Sequence, residues 1–148
     1  MTLLDYAYRL LTRRAHSEQE LTDKLLAKGF TETAVTRTIA HLKAQGYLND
    51  TRLAADQAER LRERGFGPEA IRAKLAQKGL SPETVEHAGE LDCEAEELGS
   101  ARRLLASRFS ADALKDPQTY ARAFRFLLRR GYSQEVVERL LGNTPGDI

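Results

Sequence analysis

Along most of this chain apolar residues return every three or four positions, with charged side chains filling the intervals. Leu21, Leu25 and Leu26 make one stripe, and Val35, Ile39 and Leu42 the next. Further stripes are Leu53, Ala58 and Leu61; Ile71 and Leu75; Ala101, Leu104 and Leu105; and Tyr120, Phe124, Leu127 and Leu128. That spacing is the period of an amphipathic helix, and it assigns these residues to core packing rather than to a cofactor pocket. The β-branched and aromatic residues that favour strands are thin, while the helix formers Ala, Leu, Glu, Arg and Lys dominate. The pattern predicts an all-α fold.

Between the stripes, one arrangement recurs. "KLLAKGFTETAV" from Lys24, "AKLAQKGLSPETV" from Ala73 and "RFLLRRGYSQEVV" from Arg125 align on a glycine (Gly29, Gly79, Gly131). A base precedes each glycine, an apolar residue follows it (Phe30, Leu80, Tyr132), then a hydroxyl residue (Thr31, Ser81, Ser133), and further on a valine (Val35, Val85, Val137). The physical content is a helix–corner–helix. Glycine closes the first helix in the left-handed conformation, the base complements its carbonyl end, and the hydroxyl caps the next helix. Pro82 stands at the first helical position, where proline is best tolerated.

Other limits are equally local. Ser17 with Glu20 three residues later is a capping box that opens a helix after the first ends near Arg14. Gly46 stops a helix and Asn49 or Asp50 caps the next; Gly65 and Pro68 stop and start another pair; Asp116 and Pro117 do the same later. The count is nine helices in three groups of three. The repeats are placed at 1–48, 49–92 and 93–148, and the terminal "NTPGDI" is expected to fray as a short flexible tail. A three-helix unit of this size buries too little surface to be robust alone. Neighbours are therefore expected to support one another, as three tandem three-helix repeats forming an elongated, curved molecule.

Composition narrows the function classes. A net charge of +1 argues against coating DNA by bulk attraction, but the charge is zoned. Residues 81–100 hold Glu83, Glu86, Glu90, Asp92, Glu94, Glu96 and Glu97 with no Lys or Arg. Residues 101–130 hold Arg102, Arg103, Arg108, Lys115, Arg122, Arg125, Arg129 and Arg130 against Asp112 and Asp116. Glu94, Glu96 and Glu97 suit the positive end of a helix dipole. The single Cys93 makes no internal disulfide, and no signal peptide or bilayer-length apolar run stands in the sequence, which points to a cytoplasmic protein with no membrane role.

Catalysis finds little footing. His16, His41 and His87 lie in separate helical contexts without a relay partner and are expected at surface or boundary positions. "GFGP" puts proline where a phosphate loop needs a free amide, and Cys93 stands among carboxylates that disfavour a reactive thiolate. No zinc spacing is present, and the expectation is no cofactor, no metal and no enzyme activity.

"RRAHSEQELTDKLLAKGF", "GYLND", "GFGPEAIRAKLAQKGL" and "RAFRFLLRRGYSQEVVERLL", in this order and spacing, resemble the RecX family of recombination regulators from about Tyr6 to Leu141. Leu53 departs from the family, which commonly has an aromatic before Ala54, and the N-terminal extension of many members is absent from this sequence. The resemblance implies a protein, here expected as a monomer, that binds the RecA recombinase and its nucleoprotein filament. It implies docking in the filament's helical groove, with damping of the ATPase, strand-exchange and coprotease activities.

For such a role the charged faces supply candidates. Arg60 and Arg64 lie one turn apart, as do Lys74 and Lys78, with Arg72 on the same helix. In the third repeat Arg122, Arg125 and Arg129 line one side of the helix that ends at Arg130. These nine are the expected partner-binding residues, for the filament or for single- or double-stranded DNA. Two alternatives stay open: a DNA-binding module of tandem helix-turn-helix-like units, and a purely structural adaptor. Against the first, the third helices carry few bases, chiefly Arg37 and Arg139.

Overall fold

The fold is taken from a computed structural model, which describes residues 1–89 and 93–142. Among these residues there are nine α-helices and no strand: α1 (Leu3–Arg13), α2 (Glu18–Ala27), α3 (Glu32–Ala44), α4 (Asp50–Glu63), α5 (Pro68–Gln77), α6 (Pro82–Gly89), α7 (Glu94–Arg108), α8 (Pro117–Arg129) and α9 (Gln134–Leu141). They form three tandem three-helix domains. A 3-10 turn at Ala113–Lys115, which the periodicity does not announce, precedes α8. Glu90, Leu91 and Asp92 of the acidic run, and the expected frayed tail "NTPGDI", lie outside the described residues.

The expected caps form. Ser17 accepts from the Glu20 amide while the Glu20 carboxylate accepts from the Ser17 amide, completing the capping box. Thr31, Asp116 and Ser133 accept from Ala34, Thr119 and Val136, and Ser81 from Thr84. Each such cap is worth about 1 kcal/mol. Gly29, Gly79 and Gly131 all have positive φ.

The chain divides into two compact units. One comprises Met1–Gln57 with Leu75–Ala88; the other comprises Ala58–Lys74 with the described residues from Gly89 onward. In the first, Ala7, Leu10, Leu21, Leu25, Val35, Leu42 and Leu48 form the core. In the second, Ala101, Leu105, Ala123, Leu127, Tyr132, Val136 and Val137 do so. The buried residues of the middle repeat are shared out: Leu53, Ala54, Leu75, Leu80, Val85 and Ala88 belong to the first unit, and Ala58, Leu61 and Ile71 to the second.

One device recurs inside each unit. In the first, the corner after α5 meets the start of α2: the Ser17 hydroxyl donates to the Lys78 carbonyl. A Cβ on Gly79 would come within 2.6 Å of the Gln19 Cβ. In the second, the corner after α8 meets the start of α5. There the Gly67 amide donates to the Arg130 carbonyl at 2.7 Å, and the Glu69 amide to the Gly131 carbonyl at 3.0 Å. A Cβ on Gly131 would overlap Ala70. In the second unit carbonyls at one helix end thus satisfy amides left over at another helix's start, and in the first a cap hydroxyl serves one such carbonyl.

Three expectations from the sequence need correction. Leu26 (39% exposed) and Leu128 (37%) stand on the surface. On α8 the buried positions are Tyr120, Ala123 and Leu127, a stripe that turns away from Leu128. His16 is not a boundary residue, being 4% exposed. Its Nδ1 donates to the Arg14 carbonyl and its Nε2 accepts from the Lys24 ammonium, both at 3.0 Å. That fixes a neutral ring, and burial above all lowers its pKa from the ordinary histidine value.

Candidate functional site

A cluster of positive side chains lies in the second unit, where the end of α4, α5 and the end of α8 meet. Gly65 ends α4 and the chain turns through Phe66 and Gly67 into α5. The turn leaves the Phe66 ring half-exposed with three cations over it. Lys74 Nζ lies 4.8 Å from the ring centroid, the Arg130 guanidinium 5.0 Å and the Arg64 guanidinium 5.4 Å.

Arg130 is the best anchored of the three. Its backbone is gripped by Gly67, its Nη1 donates to the Arg64 carbonyl at 2.9 Å, and its guanidinium also lies 5.4 Å from the Phe126 centroid. Tyr132, two residues on, is buried and donates its hydroxyl to the Gly65 carbonyl at 3.1 Å. Burial raises its pKa, so the phenol stays protonated as that donor. Among the described residues no carboxylate pairs with Arg64, Lys74 or Arg130. Like charges repel, and the face of the ring offsets that repulsion by about 0.5–1 kcal/mol per cation without neutralising any charge.

Arg122, Arg125 and Arg129 follow on α8, all exposed, and with Arg108, Phe109 and Phe126 they line an adjoining cleft. Of the nine expected residues, the structure gathers Arg64, Lys74 and Arg130 around one ring and Arg122, Arg125 and Arg129 in the cleft beside Phe126. Arg60 is exposed on α4 and makes no ring contact among the described residues. Arg72 is half-buried, with its Nε near Gly89. Lys78 belongs to the first unit, where its carbonyl takes the Ser17 hydroxyl and its charge helps lower the pKa of Glu20.

Sequence reasoning missed Phe66, Phe109, Phe126 and Arg108. Phe126 had a partial signal: it falls off the Tyr120–Ala123–Leu127 stripe, between arginines, although it still packs against the edge of the core. Phe66 had none, since an apolar residue at a glycine corner reads as packing.

Two acids of the run, Glu94 and Glu97, tie elements of the third domain together. Glu94 pairs with Arg139 and Glu97 accepts from the Ser133 amide at 2.9 Å, which ties the start of α7 to α9. Asp50 accepts from the Glu18 amide at 3.0 Å, and burial above all raises its pKa. No helix among the described residues is long and apolar enough to cross a membrane.

Three family descriptions match consecutive stretches of the chain: RecX, first three-helix domain, over residues 4–42; the second over 49–88; the third over 95–141. A relative named regulatory protein RecX from Cronobacter sakazakii is 35% identical over 151 aligned positions, covering 95% of this chain and 91% of the relative. Another of that name from Stenotrophomonas maltophilia is 33% identical, covering 99% and 89%. The crystal structure of RecX from Lactobacillus salivarius superimposes with a TM-score of 0.80 at 19% identity, over 94% of this chain and 92% of that one, which establishes the shared fold.

Proposed function

The chain belongs to the RecX family of regulatory proteins, and from that membership we propose that it binds the filament of the RecA recombinase and restrains its activities. The observation that carries this reading is the array of Arg64, Lys74 and Arg130 about Phe66. Cations already paired with internal carboxylates have little left to offer an acidic partner. These three are held in fixed places by a ring and by backbone, yet keep their charge, which suits a surface that docks by electrostatic complementarity. The role needs no reacting group on this chain, in keeping with the regulatory names of its relatives.

The reading of third helices as groove readers draws less support. Arg139, the main base of α9, is committed to Glu94. A recognition helix needs several free donors to base edges.

The test is DNA-dependent ATP hydrolysis by the recombinase, titrated with the wild type and with an Arg64→Glu/Lys74→Glu variant. The wild type suppresses hydrolysis, and the variant, folded by circular dichroism, needs a markedly higher concentration to do so. Hydrolysis unaffected by the wild type, or suppressed equally by the folded variant, would sink the reading.

A further inference from the structure

We propose that Arg130 is a positioning residue rather than a contact to the partner: its guanidinium couples the cations gathered on Phe66 to the arginine-lined cleft beside α8. The effect on suppression rests on the filament reading; the coupling itself belongs to this chain alone.

Two rings of the second unit carry cations. Phe66 holds Lys74, Arg130 and Arg64 at 4.8, 5.0 and 5.4 Å, while Phe126 holds Arg108 and Arg130 at 5.3 and 5.4 Å. Among the described residues, Arg130 alone is shared by both rings. Phe126 and Arg108 in turn line the cleft that contains Arg122, Arg125 and Arg129. One guanidinium therefore links the two groups of bases.

Exposure separates the roles. Arg64, Lys74 and Arg108 are exposed, whereas Arg130 is half-buried. Its Nη1 donates to the Arg64 carbonyl at 2.9 Å, and the Tyr132 hydroxyl donates to the next carbonyl, that of Gly65, at 3.1 Å. Those two bonds hold the chain immediately before Phe66, so Arg130 sets the place of the ring as well as one of its contacts. A side chain occupied in this way has less to give a partner than its exposed neighbours.

Arginine is the one base that suits this position. A guanidinium is planar, stacks on aromatic rings and keeps edge N–H groups for a carbonyl, whereas lysine offers one compact, strongly hydrated ammonium. Arg130→Lys therefore keeps the charge and loses the arrangement. That contrast distinguishes positioning from simple attraction, which either base would serve.

The first experiment uses the full chain and no recombinase. NMR follows the Arg108 Nε–H resonance in the wild type, Phe66→Leu, Arg130→Lys and the double variant. Arg108 lies over Phe126, and no contact with Phe66 is found among the described residues. Phe66→Leu is expected to shift the Arg108 resonance in the wild-type background and to leave it in place in the Arg130→Lys background. A resonance that ignores Phe66→Leu in the wild type, or follows it equally in both backgrounds, overturns the proposal. Every variant keeps the residue 130 carbonyl that binds the Gly67 amide, and circular dichroism verifies the fold.

The second experiment measures suppression of recombinase ATP hydrolysis. Half-suppression is expected to need about five- to thirty-fold more Arg130→Lys than wild type, the loss of two ring contacts. Wild-type potency in Arg130→Lys overturns the positioning role. Should the wild type itself fail to suppress hydrolysis, the filament reading falls and the NMR comparison alone decides the coupling.

Discussion

The backbone amide of Gly67 donates a 2.7 Å hydrogen bond to the carbonyl of Arg130, joining the start of α5 to the end of α8. The same few atoms fix where the Arg130 side chain sets out, and that side chain reaches both Phe66 and Phe126. Packing and candidate function therefore share one hinge point in the second unit. The first unit repeats the arrangement with Ser17 and Lys78, but there the donor is a side-chain hydroxyl.

Glycine carries two separate demands at these corners, and a pair of substitutions separates them. Gly29 has φ +106° with open space around an added Cβ, so Gly29→Ala should cost only the left-handed penalty, about 1–2 kcal/mol. Gly131 has φ +96° and no room, since its Cβ would overlap Ala70. Gly131→Ala is expected to cost clearly more, because backbone must move. Urea denaturation of the two variants checks the order; equal destabilisation would mean that the corner is not a close approach.

Phe66→Leu is the test of ring-gathered charge. Leucine still fills apolar space, but it has no negative face to hold Lys74, Arg64 and Arg130 together. Each cation gains about 0.5–1 kcal/mol from the ring, and without it the three are free to spread. Suppression of recombinase ATP hydrolysis should then need several-fold more protein, with little change in melting temperature. Unaltered suppression would mean that the ring has no part in arranging the bases.

Much of the fold was legible because its signals are local. Ser17 with Glu20, Asp116 with Pro117, and the three corner glycines each act on neighbours in sequence, so reading them in order gives the helices. What was not legible depends on distant partners. The docking of Gly131 on Ala70 joins residues about sixty positions apart, and a glycine that must cap cannot be told from one that must also make room. His16 was misjudged for the same reason, since its burial depends on tertiary packing. Among the candidate bases, helical spacing put Lys74 and Lys78 on one face, yet only Lys74 reaches Phe66, while Lys78 lies in the other unit. Phe66, the ring that gathers the charge, was hidden because the same residue type at a glycine corner serves the core.

Ser17→Ala and Ser133→Ala form another informative pair. Both hydroxyls cap a helix, accepting from Glu20 and Val136, and removing either should cost about 1 kcal/mol. Ser17 is fully buried and also donates to the Lys78 carbonyl, so its removal strands a second group. An added cost on the order of 1 kcal/mol or more is expected, since an unsatisfied buried acceptor keeps its desolvation penalty. The gap between the two variants in chemical denaturation measures the docking bond; no gap would mean that water replaces it freely.

His16 should make the stability of the protein depend on pH in a defined window. Burial, aided by the Arg14 and Lys24 charges, lowers its folded pKa against the opposing pull of the Arg14 carbonyl and the Glu20 carboxylate. Between that lowered value and the unfolded value near 6.5, the unfolded chain binds a proton that the native chain does not. Stability then rises with pH: the contribution is fully present above about 6.5 and is lost as pH falls toward the folded pKa. Glu20 does not confuse this window. Burial opposes its ionisation, but the Ser17 amide and the Arg14 guanidinium outweigh burial and lower its pKa below 4.5, so its own contribution is lost only in more acid solution. His41 and His87 are present in both proteins of the comparison and cancel. Denaturation midpoints measured from about pH 8 to about pH 5 should therefore fall more steeply for the wild type than for His16→Asn. Nitrogen NMR of the His16 ring should show the Nδ1–H tautomer at neutral pH, with Nε2 as acceptor. Parallel pH profiles, or a ring that protonates above about 6.5, would show that Lys24 does not hold Nε2 as the geometry requires.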